Sequence, residues 1–507
     1  MNHLKKISLL ICIVFGLKSC KTQNLQHQTI KKQPNFIYIL VDDLGIGDIA
    51  ALNPKAKVKT PNIDALVKNG ISFTDAHASA SICTPSRYSI LTGVYAWRTK
   101  LKARVLDGYS KAMIKDETHT VPKLLKNNGY NTAMIGKWHL GWNWKMTKEN
   151  LQMDAKVPFK YKNDVSKYVD YSQPFTGGPT DNGFDYFFGI NASLDDPPYA
   201  FAENNRLVKI PSETMKSAGG NPNFPGGKQK DLAGKQKLKR KGDKAKGFKS
   251  QNVLLELTNK SVNYIANYTD KKPFFLYVSL TTPHTPIVPR NTFLGTSKAG
   301  IYGDFIQELD WTVGKIISAI KDKGLEDNTI IVFTADNGAS KISFPIEFEN
   351  KYNHKPSTHL RGRKATLHQG GHTVPFIIQW KNTIKPNTKN NTTISLADLY
   401  ATCADIINAK TDTNQAVDSY SILSLLKGGN NYKRKASIYT NFGGRFSIRK
   451  NDWKMDLNPK KGSSYLFNIG KDPSETTNLF YDDSYEGKKK ELTSALNEII
   501  LNPRLRI

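Results

Sequence analysis

The amino-acid sequence predicts an α/β fold with a large, mostly parallel or mixed central sheet flanked by helices. Short apolar runs rich in β-branched and aromatic residues are typical of buried parallel strands. Amphipathic helical patterns lie between these runs, as in α/β sandwiches. Past about residue 410, short strand and turn patterns precede a last helix, which predicts a smaller α+β subdomain.

The clearest predicted strands are residues 35–41, 130–135, 273–280 and 329–335. Helical patterns between them cover residues 61–70, 119–129 and 305–324, and each ends in glycine, a common helix stop. With 507 residues the chain can bury a large core. We expect a main domain over residues 34–410 and a C-terminal subdomain over 411–507.

The N-terminus resembles an export signal, residues 1–20. Lys5 and Lys6 precede an apolar run too short to span a bilayer. Leu17, Ser19 and Cys20 resemble a bacterial lipoprotein cleavage box, which predicts lipidation of Cys20; a plain secretory signal is the alternative. The expected location is the periplasm or outer membrane of a bacterium, with membrane contact only through this anchor.

The net charge of +29 indicates either a generic basic surface or attraction to a polyanion. No helix-turn-helix, zinc-finger or aromatic RNA-binding signature occurs, and the export signal argues against nucleic acid as a partner. The densest basic run, residues 228–249, lies in a predicted insertion at about 216–250. We interpret it as a solvated insertion, with steering of an anionic substrate as the second interpretation.

Polar residues follow each predicted strand, and ligands of open α/β sheets bind beyond the carboxyl ends of strands. The first and fourth strands lead to carboxylates and an amide, and the second and third lead to lysine and histidine. These residues are Asp42, Asp43, Lys137, His139, His284, Asp336 and Asn337. Oxygen ligands favour a hard cation, Ca²⁺ or Mg²⁺, over zinc.

Cys83 lies in a polar stretch of the sequence, and no other cysteine is near it in the chain. If Cys12 leaves with the signal and Cys20 is lipidated, Cys403 remains, and its apolar helical pattern predicts a core thiol. The four cysteines therefore form no disulfide framework.

The stretch around Cys83 predicts an anion site. Pro85 suits a first helical turn, which places Cys83 at a helix N-terminus that favours thiolates and tetrahedral anions. Arg87 lies one turn further on the same face. The residue pattern predicts a nucleophile in this site and leaves a thiol nucleophile open.

Ordered motifs covering nearly all of the chain after residue 34 resemble the type I, formylglycine-dependent sulfatases, which are arylsulfatase-like members of the alkaline phosphatase superfamily. Cys83 to Arg87 match the C-x-P-x-R core, completed by Leu91 to Gly93, and Gly129 to Gly141 match the second signature. The resemblance implies an alkaline phosphatase-like fold and hydrolysis of sulfate esters, for which we expect a sulfated polysaccharide or its oligosaccharides as substrate.

The resemblance also implies that Cys83 is oxidised to Cα-formylglycine by a formylglycine-generating or anaerobic sulfatase-maturating enzyme. The hydrated aldehyde would attack sulfur, and collapse of the sulfated hemiacetal would expel sulfate. Asp42, Asp43, Asp336 and Asn337, with the modified Cys83, would hold one Ca²⁺, with Mg²⁺ as the less favoured ion.

The remaining implied roles concern protons and anion binding. Arg87, Lys137 and Lys364 would surround the sulfate, and His139 would accept the proton of the second hydroxyl. His284 or Lys364 would protonate the leaving oxygen. The candidate substrate-binding residues are His284, Lys364, His372, Asp195 and Tyr199, with Asp196 beside them.

Gln369 and Thr373 depart from the Glu and Arg frequent in the family, which puts in doubt any role of these positions in ordering the pocket. Two other functions stay open. One is a phosphodiesterase or phosphonate hydrolase of the same superfamily, and the other is a non-catalytic protein that binds sulfated glycan.

Overall fold

The computed structural model describes residues 33–148, 165–215, 240–458 and 463–501. The predicted export signal, the lipidation candidate Cys20, and residues 216–239 of the predicted basic insertion lie outside these ranges.

Eighteen strands are found in the described ranges. In chain order they are β1 (Asn35–Val41), β2 (Ile71–Phe73), β3 (Ala76–His77), β4 (Asn131–Lys137), β5 (Tyr186–Ile190), β6 (Ala202–Glu203), β7 (Arg206–Leu207), β8 (Pro211–Met215), β9 (Gly242–Ala245), β10 (Phe274–Ser279), β11 (Thr329–Ala335), β12 (Phe376–Trp380), β13 (Thr388–Asn390), β14 (Ile394–Ser395), β15 (Ser437–Thr440), β16 (Phe446–Lys450), β17 (Trp453–Asp456) and β18 (Tyr465–Asn468).

The α-helices of the same ranges surround the main sheet or follow the C-terminal strands. They are α1 (Pro61–Asn69), α2 (Cys83–Thr92), α3 (Val121–Asn127), α4 (Val253–Ala266), α5 (Gly300–Asp322), α6 (Ile346–Tyr352), α7 (Gln369–His372), α8 (Leu399–Ile406), α9 (Leu423–Leu426) and α10 (Glu486–Leu501).

Ten strands form the central sheet, in the order β13-β2-β12-β11-β1-β10-β4-β5-β6-β7. Its centre, β11-β1-β10-β4-β5, is parallel, whereas β12, β6 and β7 run antiparallel to their neighbours. The side chains of β1 and β11 are buried along their whole length, which explains why both strands read as unbroken apolar runs. The predicted α/β fold class is confirmed.

The three predicted helices are present as α1, α3 and α5, but their terminal glycines differ in conformation. Gly129 and Gly324 have positive φ angles, as expected of helix C-caps. Gly70 after α1 is extended, with φ of −135°. A Cβ there would lie 2.2 Å from the Ile378 carbonyl oxygen, so Gly70 allows the chain to pass close to β12.

A second, four-stranded antiparallel sheet, β15-β16-β17-β18, lies in the C-terminal region. Leu492 and Leu496 of α10 belong to a small hydrophobic cluster with Ile438, Ile448 and Met455 from its strands. Strands β8 and β9 form an antiparallel hairpin on either side of residues 216–239. Within the described ranges, no helix has the length and apolarity needed to cross a bilayer.

Candidate active site

The polar residues that follow β1 and β11 meet at one edge of the sheet. These strands are parallel neighbours, and the Asp336 amide donates to the Val41 carbonyl at 3.0 Å. The Asp43 amide donates to Asp336 Oδ1 at 3.2 Å, and Asn337 Nδ2 donates to Asp43 Oδ1 at 2.7 Å. Asp42, Asp43, Asp336 and Asn337 therefore form one buried cluster.

Helix α2 brings Cys83 to this cluster. All ten of its residues are buried, and Cys83 is its first residue. The Cys83 thiol lies 3.5 Å from Asp42 Oδ1, and Lys364 Nζ donates to Cys83 Sγ at 3.1 Å. The predicted helix N-terminus is thus placed against the carboxylates.

Three cations surround the cluster. Arg87 pairs with Asp336 Oδ2 at 2.8 Å, and Lys137 Nζ contacts Asp42 Oδ2 at 2.6 Å. Lys364 Nζ lies 2.6 Å from Asp43 Oδ1. The loop that carries Lys364 is fixed by its neighbours, because the Lys364 amide donates to the Ala339 carbonyl at 3.0 Å. Each carboxylate therefore has its own cationic partner.

This environment shifts the acidities of the cluster. Burial opposes ionisation of Asp42, but Lys137, followed by His284, Arg87 and Lys364, holds its pKa well below the usual value. Burial, together with nearby Asp336, raises the pKa of the Cys83 thiol. The thiol is therefore protonated at neutral pH, and an unmodified Cys83 would be a weak nucleophile.

The cluster fits a hard metal ion. Ligand atoms of Asp42, Asp43, Cys83 and His284 all lie within 4.8 Å of one another. Asn337 Oδ1 is buried and has no hydrogen-bond partner among the described residues. An unpaired buried amide oxygen beside three carboxylates is a donor set typical of Ca²⁺ or Mg²⁺.

His139 follows β4 and is a buried, neutral imidazole. Its Nε2 lies 2.9 Å from the Leu106 carbonyl, which can only accept, so Nε2 carries the proton. Nδ1 is buried without a partner among the described residues. Burial, with Lys137 and Arg87, lowers the pKa of His139 well below the usual value. Nδ1 therefore offers a free lone pair.

His284 follows β10 and uses Nδ1 for its backbone hydrogen bond, whereas His139 uses Nε2. Its Nδ1 lies 2.7 Å from the Thr285 carbonyl, so Nδ1 carries a proton there. Its Nε2 lies 3.9 Å from Asp43 Oδ2. The second nitrogen of His284 therefore points to the cluster.

Cys83 opens onto a pocket of about 620 Å³, within the size range of small-molecule sites. His139, His284 and Lys364 line it with Cys83, so four of the predicted catalytic residues share one cavity. The other lining residues are Ile82, Val105, Ser193, Asp195, Asp196, Arg240, Thr285, Ser340, Lys341, Ile342, Ala365 and Phe442.

Of the candidate substrate-binding residues Asp195 and Tyr199, only Asp195 lines the pocket. Asp195 lines the pocket beside Asp196, and burial raises the pKa of Asp196 to about 6 despite its contact with Arg240. Tyr199 is buried behind this loop, where its hydroxyl donates to the backbone carbonyls of Asp195 and Arg240 at 2.9 and 2.6 Å.

His372 does not reach the pocket lining. It is fully buried, and its Nδ1 atom is 3.0 Å from Nδ1 of His77. Its ring stacks on Tyr439 with 4.0 Å between the ring centroids. The two departures from the family pattern lie nearby. Thr373 Oγ1 is 3.4 Å from His77 Nδ1, and the backbone amide of Gln369 donates to Glu475 Oε2 at 2.7 Å.

Two polar or aromatic residues of the pocket lining, Arg240 and Phe442, were not predicted from the sequence. Arg240 lies in the basic run that we interpreted as a solvated insertion, yet Arg240 Nη1 pairs with Asp196 Oδ1 at 2.7 Å. Phe442 lies in the stretch Asn-Phe-Gly-Gly-Arg, where the aromatic residue within a turn signal was the available clue.

Family models match most of the chain. The model described as Sulfatase matches residues 34–409, and the model described as N-sulphoglucosamine sulphohydrolase, C-terminal, matches residues 362–502. A relative from Bacteroides thetaiotaomicron, N-acetylgalactosamine-6-O-sulfatase, is 31% identical over 94% of this chain and 96% of its own length.

Solved structures share the fold. One, a sulfatase from the metabolism of multiple glycosaminoglycans by Bacteroides thetaiotaomicron, has a TM-score of 0.78 at 28% identity, covering 92% of this chain and 99% of its own. The phosphonate monoester hydrolase of Agrobacterium radiobacter has a TM-score of 0.60 at 17% identity, covering 93% and 96%. The second similarity concerns the fold alone.

Proposed function

This chain belongs to the sulfatase family and is a sulfuric ester hydrolase, and we propose that it removes sulfate from a carbohydrate through a formylglycine formed at Cys83. The observation that carries the proposal is the position of Cys83. It lies at the start of α2, touches Lys364 at 3.1 Å, and opens onto a pocket large enough for a sugar.

The proposed oxidation suits the buried environment of Cys83. A thiol whose pKa is raised by burial supplies little thiolate, whereas a hydrated aldehyde supplies a hydroxyl oxygen. Lys364 occupies the position needed to stabilise that oxygen as it attacks sulfur. Arg87 pairs with Asp336 and Lys137 pairs with Asp42, so these two cations offset the negative charge of the carboxylates near residue 83.

His139 is the proposed base of the second step. In the first step one hydroxyl of the hydrate gives up its proton as its oxygen bonds to sulfur, while the bond from sulfur to the sugar oxygen breaks and that oxygen takes up a proton. In the second step the other hydroxyl must lose its proton so that the carbonyl reforms and sulfate departs. The free Nδ1 of His139 is the acceptor for that proton. A simple serine ester has no second hydroxyl and would retain the sulfate.

His284 is the proposed proton donor to the leaving oxygen, with Lys364 as its neighbour in the pocket. Because Nδ1 of His284 is engaged with the Thr285 carbonyl, only Nε2 is available to the substrate. A sugar alkoxide is a poor leaving group, so its protonation lowers the barrier.

We also propose that Asp42, Asp43, Asp336 and Asn337, with residue 83, hold one Ca²⁺. The four side chains contribute oxygen donors, which Ca²⁺ prefers, and the free Asn337 Oδ1 supports this assignment. When bound, the ion supplies Lewis-acid stabilisation of negative charge on the sulfate oxygens. The nitrogen of His284 suits this ion poorly, which leaves His284 for the substrate.

The proposed substrate is a 6-O-sulfated N-acetylhexosamine, at the end of or within a sulfated glycan. The support is the name of the Bacteroides relative, which aligns over nearly the whole of both chains. A mouse relative, N-acetylgalactosamine-6-sulfatase, is 26% identical over 92% of this chain and 86% of its own length.

Maturation and location complete the proposal. A separate formylglycine-generating or anaerobic maturating enzyme would oxidise Cys83. Residues 1–20 would direct export to the periplasm or outer membrane, with a lipid on Cys20 as the only membrane anchor. Residues 411–507 would act as a C-terminal subdomain that supports the pocket through β15 and β16.

The proposal is tested by product release from the matured enzyme, which is incubated separately with N-acetylgalactosamine 6-sulfate, an aryl phosphodiester and a phosphonate monoester. We expect kcat/KM to be greatest for the sulfate ester. A preference for the phosphorus substrates would assign the protein to the other branch of the superfamily. Tight binding of sulfated glycan without any product would identify a binding protein.

A further inference from the structure

Phe442 is an exposed aromatic residue inside the active-site pocket. Its exposed fraction is 43%, and no aromatic ring packs against it among the described residues. Ile342, another of the pocket residues, is 46% exposed. Large apolar side chains left open to solvent beside a catalytic residue indicate a surface that a ligand covers.

The turn that carries Phe442 is built to hold it in place. The Gly444 amide donates to the Asn441 carbonyl at 3.0 Å, and Asn441 Oδ1 accepts from the Gly443 and Arg445 amides, each at 3.0 Å. Gly444 has a φ of 75°, and a Cβ there would lie 2.4 Å from the Lys102 carbonyl oxygen. The turn therefore requires glycine at this position.

The backbone of Phe442 is anchored as well. Its carbonyl accepts from the Arg104 amide at 3.0 Å, which ties the turn to the segment that supplies Val105 to the pocket. The ring is thus presented to the pocket from a fixed backbone, and 43% of the surface of Phe442 is open to solvent. Because the turn is already ordered, a ligand that binds the ring does not have to order the loop.

The same pocket also contains a compact polar group. Arg240 pairs with Asp196 at 2.7 Å and lies 3.8 Å from Asp195. The guanidinium donates hydrogen bonds and the carboxylates accept them, so together they match hydroxyl groups, which do both. With one cation to two carboxylates, this group has no surplus positive charge to attract a second sulfate.

We propose that Phe442 is an aromatic platform on which the sugar ring of the substrate stacks, while Asp195, Asp196 and Arg240 bind its hydroxyls. A pyranose has an apolar C–H face and a polar rim, and this pocket supplies a partner for each. The inference rests on the proposed carbohydrate sulfatase function and assigns part of the substrate specificity to the turn between β15 and β16.

The test uses the matured, metal-loaded enzyme with N-acetylgalactosamine 6-sulfate. Phe442→Ala and Phe442→Leu are expected to raise KM by roughly three- to tenfold, the size of a lost aromatic contact, with kcat nearly unchanged. Phe442→Trp is expected to retain the wild-type KM, because it restores an aromatic face. Tyr481→Ala, which removes an aromatic side chain that is 64% exposed outside the pocket, is the matched control and should change neither constant.

The outcomes separate the two proposals. If the wild-type enzyme releases no sulfate from any sulfated sugar, the proposed function fails and the platform fails with it. If the wild type is active, an unchanged KM in Phe442→Ala overturns the platform alone. A wild-type KM in Phe442→Leu also overturns it, because a general apolar contact would then suffice.

Discussion

Lys364 lies 3.1 Å from the sulfur of Cys83 and 2.6 Å from a carboxylate oxygen of Asp43. One ammonium therefore joins the nucleophile position to the proposed metal cluster, although these residues lie far apart in the chain. Burial disfavours its charge, but the carboxylates, Asp43 above all and then Asp42 and Asp336, raise the pKa of Lys364 well above the usual value. Lys364 is thus a permanent cation at the position of the attacking oxygen.

Replacement of Lys364 by methionine should lower kcat by about 10²- to 10³-fold, the usual cost of losing one group that stabilises transition-state charge. Steady-state release of sulfate measures this effect. Lys68→Ala, on an exposed position of α1, is the control and should behave as wild type. A Lys364→Met enzyme within a few fold of wild type would remove this residue from the mechanism.

His139→Asn should separate the two products in time. Asparagine keeps a polar atom near the position of Nδ1 but cannot accept the proton, so the sugar leaves while sulfate stays on the enzyme. Rapid-quench measurements should show a burst of about one equivalent of desulfated sugar without free sulfate. Equal loss of both products, with no burst, would argue against His139 as the base.

Removal of divalent metal should abolish turnover and lower the unfolding temperature. Without the ion, the charge of the three buried carboxylates is balanced by Arg87, Lys137 and Lys364. Calcium at about one hundred times its Kd should add about 2.7 kcal/mol to the free energy of unfolding. Calorimetry of chelated enzyme with and without added Ca²⁺ measures this gain, which should be smaller in Asn337→Ala. Full activity after complete chelation would exclude the proposed ion.

Glu475 should act on catalysis through the loop that carries Lys364. This buried carboxylate contacts Lys454 Nζ at 2.6 Å and accepts from the Gln369 amide at 2.7 Å. Lys454 in turn donates to the Leu367 carbonyl. Glu475→Gln should therefore lower kcat in the wild-type background and have little further effect in Lys364→Met. Equal losses in both backgrounds would show that Glu475 acts independently of Lys364.

The stability of the same variant should depend on pH in a defined direction. Burial opposes ionisation of Glu475, but Lys454 and His368 lower its pKa below the usual 4.5. Its charge therefore stabilises the fold above the unfolded pKa, and this contribution is lost as pH falls through the folded pKa. The stability difference between wild type and Glu475→Gln should be largest near neutral pH and shrink in acid. A difference that grows on acidification would contradict this assignment.

The central strands and the residues that follow them were predictable from sequence. Strands 35–41 and 329–335 have the predicted bounds, because both are buried on two faces and read as continuous apolar runs. Since parallel strands share an edge of the sheet, the proximity of Asp42, Asp43, Asp336 and Asn337 followed from the pattern.

The pocket walls were less predictable, because they depend on contacts between distant segments. His372 was expected at the substrate, but it packs on Tyr439 of β15 and is not among the residues that line the pocket. Arg240 was interpreted from the sequence as a solvated cation, but in the structure it pairs with Asp196. Phe442 enters the pocket because its turn packs on the segment at Lys102, and no local periodicity encodes that contact.

The most direct test of the account compares the mature wild type with Cys83→Ser, both produced with a maturating enzyme. The mass of the peptide that contains residue 83 and the release of sulfate from N-acetylgalactosamine 6-sulfate are measured on the same preparations. We predict an aldehyde at residue 83 and sulfate release for the wild type. Cys83→Ser should carry no aldehyde and release no sulfate, while its unfolding temperature stays close to wild type. Undiminished sulfate release by a Cys83→Ser enzyme whose residue 83 carries no aldehyde would contradict the formylglycine mechanism.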